Sequence, residues 1–163
     1  MSDFSELYDA LKGEIVSYFD QQIDAYVTHK LSRCESPIER ILGEALVLMS
    51  VMVSPEVLHG HEKPIFEVEQ QVVVRNFRLD FLVSYSLHGK KWSVAVECDG
   101  HDYHERTKEQ AKRDKSRDRI LAIDGIQTLR FTGSEIVSRP DLCAEQVLDY
   151  LTGTMRREVN RDE

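Results

Sequence analysis

Three acidic residues lie in or at the end of two apolar, strand-like segments near the middle of the chain. Glu97 and Asp99 end the segment SVAVECD, and Asp80 lies inside the preceding segment RLDFLV. Side chains alternate between the faces of a strand, so Glu97 and Asp99 should share one face while Cys98 points to the other. Because neighbouring strands lie about 4.8 Å apart, Asp80 and Glu97 can meet if the strand register allows it.

Two carboxylates held that close repel each other, which raises a pKa unless a cation lies between them. Mg²⁺ suits such a site, because it binds one or two carboxylates and completes its shell with water and substrate phosphate. Structural roles remain open as well. Asp80 can pair with a neighbour such as Arg78, and Asp99 before Gly100 is ordinary turn chemistry. Alternation also predicts that Leu79 and Phe81 lie together on the face opposite Asp80.

A locally basic segment follows these acids, although the whole chain has a formal net charge of −8. One interpretation is a solvated helix face with internal ion pairs that involve Asp114, Arg117 and Asp118. The other is a surface that contacts nucleic-acid phosphates. The basic residues of this segment are Lys108, Lys112, Arg113, Lys115, Arg117 and Arg119.

Hydrophobic periodicity predicts the element order α, α, β, β, β, α, β, α. In the second helix, Ser36 is the expected N-cap, Pro37 the first helical residue and Glu39 the far side of a capping box. The consecutive apolar residues Val94 to Val96 predict a central strand covered on both faces. The remaining predicted elements are one long helix or two broken helices over 4–27, strands over 65–74, 78–86, 92–98 and 126–131, and helices over 108–123 and 141–151, with a turn at Gly133-Ser134.

The predicted organisation is an N-terminal helical extension (1–33), one α/β core (34–152) and a polar C-terminal tail (153–163). Three widely spaced cysteines without a C-x-x-C pair favour reduced thiols over a disulfide framework or a zinc site. The chain has no run of about 20 apolar residues and no basic start followed by an apolar segment. We therefore expect a cytoplasmic protein without a membrane segment.

Four linked segments resemble the PD-(D/E)XK nuclease superfamily, and within it the group related to the very-short-patch-repair endonucleases. They are RLDFLV, VECDGHDYHE, the Arg117-Asp118 pair and GIQTLRFTGSEI, and the resemblance covers roughly residues 36–151. It implies a restriction-endonuclease-like core, with a mixed four-stranded sheet flanked by helices in the order α-β-β-β-α-β, to which an N-terminal helix is added.

The resemblance also implies a metal-dependent endonuclease that hydrolyses DNA, in the manner of a DNA-repair enzyme, with Mg²⁺ or Mn²⁺ as cofactor. The implied metal ligands are Asp80, Glu97, the backbone carbonyl of Cys98, and Asp99. Glu39 matches an acid that some members of the superfamily use to hold a metal-bound water, although Ser36-x-x-Glu39 is also a capping box in its own right. DNA is the expected partner, RNA is left open, and the N-terminal helix is a candidate site for a protein partner or for homodimer formation.

Asp99 departs from the superfamily pattern, which has lysine two residues after the glutamate. Lys108, Lys112, His101 or His104 are candidates to compensate, and His104 and Lys112 join the acids as candidate catalytic residues. Two alternatives to an active nuclease stay open: a catalytically silent nucleic-acid-binding module and a protein-interaction domain on the same fold. The residues expected to contact nucleic acid are Lys108, Lys112, Arg113, Lys115, Arg117 and Arg130.

Overall fold

The computed structural model describes residues 2–53, 64–100 and 108–162, and these divide into two compact units. The first unit, Met1–Ser32, contains the helix α1 (Ser2–Lys30), and the second, Arg33–Glu163, contains every other element. Those elements are α2 (Pro37–Val53), β1 (Ile65–Val74), β2 (Phe77–Leu87), β3 (Lys90–Asp99), α3 (Lys108–Ile123), β4 (Gln127–Thr132), α4 (Gly133–Ser138) and α5 (Pro140–Asp162).

The second unit is built on one mixed four-stranded sheet with the strand order β1-β2-β3-β4. The first three strands form an antiparallel meander, and β4 runs parallel to β3. Parallel neighbours need a crossover connection, and α3 provides it. The prediction of an α/β fold with a mixed four-stranded sheet is therefore confirmed.

Helices cover both faces of the sheet at its centre. α2 and α5 pack on each other and on the strands, whereas α3 contacts β4. As a result, the consecutive residues Val94, Ala95 and Val96 are all fully buried. This confirms the central strand that their uninterrupted apolar character predicted, since a strand with one wet face would alternate with polar residues.

Residues with positive φ, two of them glycines, lie where β2 and α3 end. His88 and Gly89 connect β2 to β3 and have φ values of 50° and 72°, the left-handed region that a type I′ hairpin turn requires. Gly125 has φ 78° and follows α3. The backbone N–H of Ile126 donates to Leu121 O at 2.9 Å and that of Gly125 to Ala122 O at 3.0 Å, which is the Schellman pattern.

Two elements after β4 differ from the expectation. Gly133–Ser138 is the helix α4 rather than a turn, because Thr132 caps it and the Glu135 carboxylate in return accepts a 2.8 Å hydrogen bond from Thr132 N–H. α5 continues to Asp162 rather than ending at residue 151. Its added turns include Glu158, which accepts a 2.6 Å hydrogen bond from Trp92 Nε1.

Within the described ranges, none of the helices is both long enough and apolar enough to cross a membrane.

Candidate active site

Asp80 lies where the regular alternation of β2 breaks. The ladder between β2 and β3 begins at Phe81, one residue after Asp80. Leu79 packs with Ala95 and Leu121, on the sheet face opposite Phe81. The prediction that Leu79 shares a face with Phe81 is therefore wrong, because the strand does not keep its two-residue period through Asp80.

This break makes the Asp80 carboxylate part of the strand pairing. Its Oδ2 accepts a 2.8 Å hydrogen bond from the backbone N–H of Cys98, which takes the place of a carbonyl from β2. A carboxylate that accepts a backbone N–H is oriented as well as bound. Asp80 is thus fixed beside the end of β3 through Cys98, the residue that follows Glu97. The alternative pairing with Arg78 is not formed, since both Arg78 Nη atoms bind Glu35 at 2.7 Å.

Glu97 is buried, with 8% of its surface exposed, and its carboxylate meets α3. Arg117 Nη2 donates to Glu97 Oε1 and also, at 3.0 Å, to the backbone carbonyl of Arg78. The Arg117 side chain is itself 19% exposed, so this ion pair is largely shielded from solvent. Arg117 is thus a cation in direct contact with a site carboxylate.

Electrostatics indicate that Asp80 and Glu97 lie within reach of each other. The pKa of Glu97 is raised to about 7, chiefly by burial; the charge of Arg117 lowers it and the charge of Asp80 raises it. Burial also raises the pKa of Asp80, while the hydrogen bond from Cys98 lowers it and the charge of Glu39 raises it. The site therefore collects negative charge that a bound cation would stabilise.

Asp99 ends β3 and pairs in register with Thr132 of β4. Its charge helps to raise the pKa of Arg130, whose main partner is Asp118. Cys98, between the two acids, has a thiol whose pKa is raised by burial and then by the charge of Asp80. The thiol is thus held neutral at the site, and only the backbone of Cys98 has the chemistry of a hard-metal ligand.

Glu39 is buried at the start of α2, and its charge reaches Asp80. Its Oε2 accepts hydrogen bonds of 2.9 Å from Glu35 N–H and from Gln71 Nε2, and its Oε1 accepts one of 2.7 Å from Ser36 Oγ. Ser36 Oγ in turn accepts from Glu39 N–H at 3.3 Å, as expected of an N-cap. The carboxylate reaches Glu35 N–H, one residue before the expected capping-box partner.

The basic residues of α3 separate into two groups. Lys112, Arg113 and Lys115 are exposed. Arg117, for which contact with nucleic acid or pairing within its own helix was predicted, binds Glu97. Arg130 on β4, also predicted to contact nucleic acid, binds both Asp118 oxygens at 2.9 and 2.7 Å. Glu97 and Arg130 are register partners on β3 and β4. Two ion pairs of opposite polarity therefore join α3 to neighbouring positions of the sheet.

His101 and His104 lie outside the described residues, and so does the side chain of Lys108, whose backbone begins α3. Sequence reasoning missed the buried amides of Gln70 and Gln71. A pair of adjacent glutamines inside the apolar strand IFEVEQQVVV was the available signal, because one of two neighbours in a regular strand should face solvent.

The residues present fit a hard divalent cation. Hydrogen bonds from the described residues use one oxygen of Asp80, Oδ2, and one oxygen of Glu97, Oε1. Two carboxylates and a backbone carbonyl are the donors that Mg²⁺ takes, with water filling the rest of its shell. In the described part of the chain, no three His, Cys, Asp or Glu side chains form a metal cluster.

A mixed sheet with an acid on its second strand, an acid at the end of its third and a crossover helix next defines a restriction-endonuclease-like protein. Residues 56–151, more than half of the chain, match the model of the REase_MTES_1575 family. The chain belongs to this restriction-endonuclease-like family, as the resemblance to the PD-(D/E)XK superfamily predicted. The relation to the very-short-patch-repair group stays a prediction.

No curated protein and no solved structure gives a significant match to the chain. The matched range begins after α2, so Glu39 lies before it, whereas Asp80, Glu97, Asp99 and Arg117 lie within it. Membership of this family points to a nuclease. The metal, the substrate and the roles of individual residues must be argued from the chain itself.

Proposed function

We propose that the chain is a metal-dependent nuclease that hydrolyses DNA phosphodiester bonds, with Asp80 and Glu97 binding Mg²⁺ or Mn²⁺. The observation that carries this proposal is the convergence of these two acids. Asp80 is oriented by the Cys98 N–H, and its charge acts on the buried Glu97. Buried carboxylates with raised pKa values beside one another are a recurrent mark of functional sites.

A divalent metal at this site supplies a bound water of lowered pKa and a positive charge for the phosphate. The protein residues do the positioning. Cys98 N–H and Arg117 hold the two carboxylates, and the Cys98 carbonyl and Asp99 are the further ligands that we assign. Glu39, whose charge reaches Asp80, is the residue that we assign to holding a water.

Binding of the nucleic acid is assigned to the exposed cations of α3, namely Lys112, Arg113 and Lys115. Phosphate contacts dominate nucleic-acid affinity and need solvent-facing cations, which favours these residues over Arg117 and Arg130. Lys108 and His104 remain candidates by sequence position, and Lys112 remains the candidate to replace the missing lysine at position 99. DNA is the proposed substrate, and RNA is the comparison to include.

The test is cleavage of supercoiled plasmid and of single-stranded RNA with Mg²⁺ or Mn²⁺. Asp80→Asn and Glu97→Gln should reduce DNA cleavage to background, since each retains the shape and an acceptor oxygen but removes the charge. Glu69→Gln is the matched control, because Glu69 is an exposed acid on β1. Cleavage by Asp80→Asn and Glu97→Gln at the native rate would refute the proposal.

A catalytically silent nucleic-acid-binding module is the second candidate. The ion pair of Arg117 with Glu97 favours it, and so does aspartate at position 99 where the superfamily pattern has lysine. Calorimetric titration with Mn²⁺ separates the two candidates. A silent module should bind DNA in the presence of a chelator yet give no heat that depends on Glu97. A nuclease should give that heat and lose it in Glu97→Gln.

Binding of a protein partner or of a second copy through α1 is also kept as a proposal. Exposed apolar side chains on this helix, among them Ile15, Tyr18 and Ile23, support it. Sedimentation of the full chain over a range of concentrations measures self-association directly, and a single monomeric species throughout would exclude the second copy.

A further inference from the structure

Gln71 is a buried side chain that joins the middle of β1 to the start of α2. It is 5% exposed, and its Nε2 donates a 2.9 Å hydrogen bond to Glu39 Oε2. Its backbone carbonyl accepts a 3.2 Å hydrogen bond from Arg33 Nη2. Both the side chain and the main chain of Gln71 are therefore tied to the segment that carries Glu39.

The backbone of Gln71 is strained at this point. Its φ is 50°, in the left-handed region that residues with a Cβ rarely adopt. Such a conformation is unfavourable for a residue with a Cβ and persists where the surrounding structure imposes it, often at functional sites. In the register of β1 and β2, Gln71 lies between the pairs Gln70–Phe81 and Val72–Leu79, opposite Asp80. The strained residue of β1 thus faces the residue where β2 loses its own alternation.

The consequence of this conformation is that two successive glutamines, Gln70 and Gln71, are both buried. In a regular strand one of them would point to the other face. The left-handed conformation of Gln71 therefore places its amide on the same face of β1 as Glu39. That amide also has an unused atom, since Gln71 Oε1 is buried and accepts no hydrogen bond from the described residues. A buried acceptor without a partner destabilises the folded state, and a bound water would relieve this cost.

We propose that Gln71 is a positioning residue of the active site, which orients Glu39 through its Nε2 and offers Oε1 to the water that Glu39 holds beside Asp80. This inference rests on the proposed function. Partners of this outer kind orient a site without touching the metal, and their loss typically lowers metal affinity or activity about 10- to 100-fold.

The competing explanation is that Gln71 only fastens β1 to α2. Gln70 provides the matched control, because it is 8% exposed and makes comparable bonds to the same segment without touching Glu39. Its Oε1 accepts from Arg33 N–H at 3.0 Å and from Cys34 Sγ at 3.8 Å. Gln70→Asn and Gln71→Asn shorten the two amides equally, and asparagine tolerates the left-handed backbone better than most residues.

The experiment is calorimetric titration of the full chain with Mn²⁺, with urea unfolding of each variant. Gln71→Asn should weaken Mn²⁺ binding at least about 10-fold, whereas Gln70→Asn should keep the native affinity. Because Gln71 acts through Glu39, the double variant Gln71→Asn with Glu39→Gln should bind no more weakly than Glu39→Gln alone. Gln71→Gly is the second variant, since glycine adopts φ 50° without strain.

The inference is overturned if Gln71→Asn and Gln70→Asn bind Mn²⁺ equally, or if the losses from Gln71 and Glu39 add in full. If the native chain binds Mn²⁺ and cuts DNA, and Gln71→Gly binds Mn²⁺ with the native affinity, this inference is refuted while the proposed function stands. Native chain that binds no Mn²⁺ would remove the proposed function and this inference together.

Discussion

Glu97→Gln in metal-free protein tests whether burial or the Arg117 ion pair dominates the energetics of the site. The folded protein raises the pKa of Glu97 from its ordinary 4.5 to about 7, with burial as the largest cause. If the ion pair dominated instead, this pKa would be lowered. Glutamine keeps the shape and the acceptor for Arg117 but does not titrate, so the substitution removes only the charge.

The sign follows from proton linkage. Because its folded pKa is the higher one, Glu97 is protonated in the folded protein and ionised in the unfolded chain between about pH 4.5 and 7. The folded state therefore loses stability as the pH rises through this window. One pKa unit corresponds to about 1.4 kcal/mol, so the cost approaches about 3 kcal/mol above pH 7 for this largely buried group. Glu97→Gln escapes this cost.

The assay is urea unfolding of both proteins from pH 4.5 to 8 in the presence of a chelator. The stability of Glu97→Gln relative to the native protein should rise by roughly 2–3 kcal/mol across this range. Asp80 is present in both proteins, so most of its effect on the pH dependence cancels when their unfolding free energies are subtracted. Parallel stability curves would refute the burial argument, and a relative loss of stability with rising pH would show that Arg117 dominates.

Two further substitutions test the packing that positions the site. Leu79→Ala should cost about 2–5 kcal/mol in urea unfolding, because Leu79 is fully buried against Ala95 and Leu121; a cost below about 1 kcal/mol would mean that Leu79 does not pack there. Glu158→Gln should weaken the hydrogen bond from Trp92 Nε1 and cost about 1 kcal/mol. Trp92 is the chain's only tryptophan, so its fluorescence should change as well, and unchanged emission would show that the last turns of α5 leave the sheet.

Periodicity and capping signals in the sequence were enough to predict the elements of the core. β1 and α3 have the predicted bounds, and β2, β3 and β4 differ from theirs by no more than two residues at either end. The reason is that a two-residue or 3.6-residue period reports burial of a segment whatever its neighbours are. The adjacency of β2 and β3 followed, since a short connection joins them, and the linked motifs around Asp80 and Glu97 predicted the superfamily.

The sequence was less informative about the ends of elements. α4 was expected as a turn because Gly133-Ser134 resembles one, and the Thr132 capping box outweighed that signal. α5 was expected to end near residue 151, where its apolar stripe thins. It continues because its polar last turns include a partner for Trp92, which is 66 residues away in sequence.

What the sequence determined by itself is the order of elements, the α/β class and the placement of Asp80 and Glu97 on strands that are adjacent in the sheet. Only the tertiary structure decided which groups surround these acids. Arg117 turned inward to Glu97, Glu39 gained Gln71 as a partner, and Leu79 changed faces. The physical reason is that local patterns record whether a side chain is buried, whereas its partner depends on residues 20 or more positions away and on small breaks in strand regularity.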